Sequence, residues 1–162
     1  ELYLQALHKT ASMSLMQYEV SNFAKADFQS RSNLKVWDGQ PYLGLGCGAH
    51  SFDGVNRWGN VRSMRKYMES VGREEPPRDF METPTRLQQA SERLMLSLRR
   101  PEGLNIFSWQ EEFQIGLSLE QKNQMEKLKD QDLVSWESPI LKLTTEGMLL
   151  ADAITAELMP EA

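Results

Sequence analysis

The sequence predicts an α/β first half followed by a mostly helical α+β second half. Three features of the 162-residue chain support this division. Short strand candidates and a glycine-rich run occupy the first third, amphipathic helices occupy the second half, and a charged, proline-rich segment lies between them. We therefore expect two domains, over residues 1–72 and 85–162, joined by a linker over residues 73–84.

The first half alternates helical and extended patterns. Its predicted elements are a helix over residues 1–16, strands over 17–20 and 42–45, an exposed loop with one helical turn over 23–40, a short hairpin around Trp58 and Gly59, and a helix over 63–71. If the two strands close a parallel, barrel-like sheet, ligand-contacting side chains collect at their carboxyl ends.

The second half has stronger helix signals. Its predicted elements are helices over residues 85–98, 106–113 and 119–128, strands over 133–136 and 140–143, and a last helix from Thr144 or Thr145 to Leu158. Thr85 or Thr83 is the expected cap of the first helix, and Pro101 and Gly103 end it. The order of these elements resembles a winged helix.

Composition and charge limit the possible functions. The chain is 40% apolar, which is enough for a core, and its one cysteine favours a reducing, cytoplasmic location over a disulfide scaffold. No apolar run approaches the ~20 residues of a membrane span. Residues 1–84 contain 10 basic and 10 acidic side chains and residues 85–162 contain 8 and 13, so the halves carry 0 and −5. The acidic second half disfavours the alternative of a winged-helix nucleic-acid-binding domain.

A glycine run is the strongest sign of a site. Gly44, Gly46 and Gly48 alternate with Leu45 and Cys47. Glycine at every second position bares one face of a strand, so that a flat ligand or another backbone can lie against it. A strand crowded against a helix, or a tight bend, is an equally good interpretation. The run lacks the G-x-G-x-x-G spacing and the following helix of a dinucleotide loop.

Three polar residues lie close to these elements. Glu19 and Asn22 lie near the end of the first predicted strand. Either both approach a ligand there, or Asn22 only turns the chain and Glu19 is solvated. His50 follows Gly48 and Ala49, and a lone histidine is more often a structural residue than a ligand.

Several runs of the chain together carry a resemblance to one family. These runs are YEVSNFA (18–24), Asn33 with Trp37, YLGLG (42–46), GAHSF (48–52), 94–102 and LTTEGMLLAD (143–152). They resemble the oxygen-independent coproporphyrinogen III oxidase-like proteins of the radical S-adenosylmethionine class. The similarity is greater to the heme-chaperone branch than to the true oxidases. It covers nearly the whole chain but only the back half of a family member.

The resemblance implies a fold and a site. Residues 1–72 would be the end of a radical S-adenosylmethionine (β/α) partial barrel, and residues 85–162 a winged-helix-like accessory domain. The residues implied near the S-adenosylmethionine and tetrapyrrole pocket are Glu19, Asn22, Gly44, Gly46, Gly48, Ala49 and His50. Asn33 and Trp37 would lie near a tetrapyrrole substrate or heme.

The chain departs from the family in two places. Family members hold a four-iron, four-sulfur cluster with a C-x-x-x-C-x-x-C run, whereas Cys47 is the only cysteine here. The heme-chaperone branch carries H-N-x-x-Y-W, and the matching run here has Ser32 and Val36 in place of the histidine and tyrosine. We therefore expect no catalytic residue, metal ligand, bound cofactor or activity in this chain by itself.

Two further expectations concern partners. An open edge of the predicted sheet would pair with a second copy of the chain, so self-association through the first half is expected. The alternative function is a protein-interaction or structural module without a cofactor.

Overall fold

The computed structural model describes residues 2–160. The elements of the first half are α1 (Leu2–Ala11), β1 (Met16–Gln17), β2 (Phe23–Ala24), α2 (Arg31–Trp37), β3 (His50–Phe52), β4 (Arg57–Asn60), α3 (Met64–Gly72) and β5 (Arg78–Glu82). Those of the second half are α4 (Arg86–Leu98), β6 (Leu104–Asn105), α5 (Ile106–Phe113), α6 (Leu119–Asp130), β7 (Val134–Glu137), β8 (Ile140–Leu143), α7 (Thr145–Met148) and α8 (Ala151–Glu157).

The first half contains two small antiparallel sheets. β1 pairs with β2, and β3, β4 and β5 follow one another across a second sheet. The turn between β3 and β4 is closed by Asp53, whose carboxylate accepts hydrogen bonds from the backbone N–H groups of Asn56 (2.6 Å) and Val55 (2.8 Å). These two hydrogen bonds lower the pKa of the exposed Asp53 carboxyl, and the bond from Asn56 has the larger effect.

Local capping signals define the helices of the second half. Thr85 and Gln88 form a capping box at the start of α4, and Ser118 and Gln121 form another at the start of α6. The strands make an antiparallel sheet in the order β6-β8-β7. The helices predicted over 85–98, 106–113 and 119–128 are confirmed, as is the helix over 63–71, which Ser63 caps.

The apolar core lies in the second half. Its buried side chains run from Ala90 to Leu158 and centre on Trp109, which is 2% exposed and donates its indole N–H to the carbonyl oxygen of Ala90 (2.9 Å). Tyr3 and Val20 pack against this core from the first half. Among residues 2–84, Ala24 is the only described apolar residue that is buried, if glycine and proline are not counted.

The parallel, barrel-like sheet predicted for the first half is wrong for the described residues. Of the strand predicted over 17–20 only Gln17 is extended in a ladder, and of 42–45 only Tyr42 pairs, in a single antiparallel bridge to Phe52. Positive φ angles at Gly46 (103°) and Gly48 (68°) turn the chain away from an extended course. The predicted mixture of helices and sheets is present, but every strand pair described in residues 2–160 is antiparallel.

Four smaller predictions also need correction. The segment 23–40 contains β2 and the two-turn helix α2 rather than a loop with one turn, and the segment 73–84 contains β5, which pairs with β4. The hairpin turns at Asp53, while Trp58 and Gly59 lie within β4. The last helix is interrupted at Leu149 and Leu150. No helix among residues 2–160 has the length and apolar character to cross a membrane.

Candidate functional site

The glycine run forms a loop in which the N–H groups of the three glycines are already bonded within the protein. We call residues 42–49 the glycine loop. The N–H of Gly44 donates to Oγ of Ser51 (2.9 Å), that of Gly46 to the hydroxyl of Tyr67 (3.1 Å), and that of Gly48 to the carbonyl of Val61 (3.0 Å). These N–H groups are therefore occupied, and the loop is held in one shape.

The carbonyl groups of the loop are held from the neighbouring strand. The side-chain amide of Asn60 donates to the carbonyl of Gly46 (2.9 Å), and the backbone N–H of Asn60 donates to the carbonyl of Ala49 (2.9 Å). Ser51 and Asn60 are buried polar residues, and Tyr67 lies on α3. None of the three is predicted as a site residue from the sequence. The available signal for Ser51 and Asn60 is a polar side chain within a strand pattern, and for Tyr67 it is a hydroxyl on the apolar stripe of a helix.

Gly44 and Gly46 are required for different reasons. A Cβ atom at Gly44 would clash with the carbonyl oxygen of His50, so this position is crowded by the protein's own backbone. Gly46 has open space around it but a φ of 103°, which L-residues rarely adopt. The alternation thus marks a folded loop, and the interpretation as one bare strand face is wrong.

His50 lies on the opposite face of the sheet from the anchors of the loop. Residues opposite each other in neighbouring strands share a face, and successive residues alternate. His50 is opposite Gly59 and Ser51 is opposite Trp58. The His50 ring packs edge-on against Phe80, with 5.5 Å between ring centroids. The structure therefore separates the imidazole from Ser51 and the glycine loop.

Glu19 and Asn22 form a separate turn. Glu19 is 2% exposed and its carboxylate accepts the N–H of Ser21 (2.9 Å), so the interpretation that it is solvated is wrong. The carbonyl of exposed Asn22 accepts the N–H of Tyr18 (3.1 Å), which closes the turn between β1 and β2. Among the hydrogen bonds described for residues 2–160, none joins this turn to the glycine loop.

The residues that match the heme-chaperone pattern lie on α2. Ser30 caps this helix by accepting the N–H of Asn33 (3.3 Å), and Trp37 is half-buried at its end. Ser32 and Val36 are exposed and four residues apart, so they lie on one side of the helix. Val36 lines a cleft of about 240 Å³ together with Tyr42.

Arginine side chains join these elements to the second half. Arg100 forms an ion pair with Asp38, the residue that ends α2, and Arg93 donates to the Asp38 carbonyl oxygen (3.1 Å). Arg57 of β4 pairs with Glu82 (2.5 Å) and with Glu92 of α4. Partial burial lowers the pKa of Arg57, but the hydrogen bond to Glu82 and the charge of Glu92 have the opposite effect. The pKa of Arg57 is therefore raised overall.

The residues of this chain do not fit an iron–sulfur cluster. Such a cluster is held by several cysteine thiolates, and Cys47 is a single, half-buried free thiol. Residues 2–160 contain no group of three or more His, Cys, Asp or Glu side chains placed to hold a metal ion. Ser32 likewise does not fit the role of an imidazole ligand to heme iron.

The fold is that of a known class. The structure superposes on the coproporphyrinogen III oxidase HemN of Escherichia coli, described as a radical SAM enzyme, with a TM-score of 0.76 at 16% identity. The match covers 96% of this chain and 39% of that enzyme. The chain therefore shares the fold of part of that enzyme.

Sequence relatives narrow the class further. The heme chaperone HemW of Bacillus subtilis is 30% identical over 162 residues, 99% of this chain and 42% of the relative. HemW of Mycobacterium tuberculosis H37Rv is 31% identical over 142 residues, and the mitochondrial radical S-adenosyl methionine domain-containing protein 1 of Danio rerio is 28% identical over 175 residues. No family model matches the chain.

The chain is homologous to the carboxy-terminal part of HemN/HemW-type radical S-adenosylmethionine proteins. It spans about two fifths of the length of the HemW relative from Bacillus subtilis.

Proposed function

We propose that this chain is the tetrapyrrole-binding and accessory part of a HemN/HemW-type protein and has no radical chemistry by itself. The observation that carries the proposal is the alignment of 99% of the chain with the heme chaperone HemW of Bacillus subtilis. The single cysteine supports the second statement, because a cluster requires more thiolates than the chain contains.

The proposed domain division is residues 1–72 and 85–162 joined by residues 73–84, within which β5 pairs with β4 of the first domain. The order α4, β6, α5, α6, β7, β8 supports a winged-helix-like second domain. A cytoplasmic location and the absence of nucleic-acid binding also stay proposals, supported by the single cysteine and by the acidic second half.

The glycine loop and the Glu19 turn are proposed to lie near S-adenosylmethionine in a complete relative. The N–H groups of Gly44, Gly46 and Gly48 already donate to other parts of the protein. This supports a role in which the loop shapes the cofactor site and does not donate these N–H groups to the cofactor. Glu19 contributes by holding the turn between β1 and β2.

A heme titration followed by absorbance tests the proposed function. Binding is expected to shift the Soret band and to saturate with added protein. The control is the same titration with the chain unfolded in denaturant, which should leave only the spectrum of free heme. A folded chain that leaves the spectrum unchanged contradicts the proposal and favours the interaction module without a cofactor.

A further inference from the structure

We propose that a groove beside the glycine loop binds one edge of a carboxylate-bearing tetrapyrrole and recognises the ring and a carboxylate instead of the iron. This inference rests on the proposed function and deepens it. The groove, called here the Arg78 groove, is lined by Leu43, Leu45, Trp58, Tyr67, Pro77 and Arg78. It lies between the glycine loop and β4 on one side and α3 with the start of β5 on the other.

The apolar wall of the groove is unusually open to solvent. Leu43 is 70% exposed and Leu45 is 82% exposed, although both flank Gly44 in a loop that is held by buried polar anchors. Covering such side chains with an apolar ring is favourable. Because the hydrogen bonds of Ser51, Asn60 and Tyr67 hold the loop in place, little ordering of the loop is required when a ligand binds.

The opposite end of the groove carries a positive charge. The guanidinium of Arg78 stacks on Trp58, 4.8 Å from the ring centroid, and its polar contact is with the sulfur of Met81 (3.5 Å), a weak acceptor. Within residues 2–160 Arg78 forms no ion pair, whereas Arg57 and Arg73 are paired with glutamates. A planar guanidinium with open donors matches a carboxylate in a two-point contact.

The size of the groove determines how much of the ligand it holds. Its volume of about 200 Å³ is below the 300–1,000 Å³ typical of pockets that enclose a whole ligand. A tetrapyrrole would therefore insert one edge, with a ring face on Leu43 and Leu45 and one carboxylate on Arg78. Such a contact predicts reversible binding.

Among the described residues that line this groove, Tyr67 is the one of a type that ligates heme iron, and its hydroxyl already accepts the N–H of Gly46 (3.1 Å). The His50 ring packs against Phe80 on the other face of the sheet, and Ser32 stands on α2 where the heme-chaperone pattern has histidine. His8 lies on α1, and Cys47 does not line the groove. Iron therefore adds nothing to recognition at this site.

The test compares ligands with and without iron and with and without free carboxylates. We expect the intact chain to bind heme and metal-free protoporphyrin IX with dissociation constants that agree within about threefold, less than the tenfold of a 1.4 kcal/mol difference. The dimethyl ester of protoporphyrin, which lacks carboxylates, should bind at least about tenfold more weakly than the free acid. Heme is followed by absorbance and the porphyrins by fluorescence.

Two variants locate the contact. Arg78→Gln should weaken binding of protoporphyrin IX about tenfold and leave binding of the dimethyl ester unchanged. Only the free acid has carboxylates that form a charged hydrogen bond with the guanidinium. Arg86→Gln removes the same charge outside the groove, at the start of α4, and should change neither. Leu45→Ala should weaken both ligands equally. Circular dichroism verifies that each variant is folded.

Each result leads to a distinct conclusion. Binding of heme without binding of protoporphyrin IX overturns the inference and leaves the proposed function standing. Equal binding by Arg78→Gln and Arg86→Gln places the ligand elsewhere and also overturns it. If neither tetrapyrrole binds the folded chain, the proposed function itself fails.

Discussion

The two halves of this chain are stabilised in different ways. From residue 90 onward, buried apolar side chains form one continuous core around Trp109. In residues 2–84, helices α1, α2 and α3 have no buried residue. The glycine loop is instead held in place by hydrogen bonds to Ser51, Asn60 and Tyr67. Stability therefore resides in the second half, whereas the candidate site lies in the first.

The exposed apolar residues sharpen this contrast. On α3, Met64 (63% exposed), Met68 (59%) and Val71 (46%) face solvent along one stripe of an amphipathic helix. In an isolated globular domain such a stripe normally contacts a core. The first half consequently carries an apolar surface that the residues described do not cover.

The largest expected difference concerns association. We predict that the 162-residue chain self-associates through its first half, whereas residues 85–162 alone are monomeric and folded. Apolar surface and open strand edges favour pairing between copies, and they are concentrated in residues 2–84. Light scattering on both chains measures this, and a monomeric full chain would contradict it.

The next largest difference is expected in the free energy of unfolding, when one buried and one exposed side chain are each shortened to alanine. Leu94→Ala should destabilise the protein by about 2–5 kcal/mol, because Leu94 is 2% exposed and its removal leaves a cavity. Met68→Ala in the exposed stripe of α3 should change the stability by less than about 0.5 kcal/mol. Urea unfolding of both variants gives the comparison, and equal losses would disprove the assignment of stability to the second half.

Within the glycine loop, two substitutions separate crowding from backbone strain. Gly44→Ala should cost about 1–3 kcal/mol through overpacking, since its Cβ meets the carbonyl of His50. Gly46→Val should cost about 1–2 kcal/mol through its positive φ alone, because the space around it is open. Backbone strain, and not overpacking, is therefore the expected cost of a side chain at Gly46.

Thermal unfolding combined with amide hydrogen exchange at residues 42–52 measures both effects. Gly46→Ala serves as the control, because it introduces the same strain with less volume. A much larger loss for Gly46→Val than for Gly46→Ala would indicate crowding after all.

The smallest effect is expected at the turn of the β3–β4 hairpin. The pKa of Asp53 is lowered by the N–H donors of Asn56 and Val55, so its charged form stabilises the folded hairpin. That contribution is present above the ordinary value of 3.8 and is lost as the pH falls through the lower folded-state pKa. NMR shifts of Val55 and Asn56 measured between pH 7 and pH 2 should report this change, and Asp53→Asn should abolish it.

Local signals made the second half predictable. The capping pairs at Thr85 and Ser118 lie within one helical turn of the groups they satisfy, so helix positions follow from short stretches of sequence. The apolar spacing of Met64, Tyr67, Met68 and Val71 likewise placed α3. It failed at α8, because Leu149 and Leu150 continue the apolar pattern through a break in the helix.

The sequence by itself determined where glycine is needed, where helices begin, and that one cysteine cannot hold a cluster. Only the tertiary structure decided what the glycines do, because the partners of the loop are 7 to 21 residues away at Ser51, Asn60 and Tyr67. It also decided that His50 lies across the sheet from them and that Arg78 has no carboxylate partner among residues 2–160. Strand register and loop closure are set by contacts between distant residues, which local spacing does not specify.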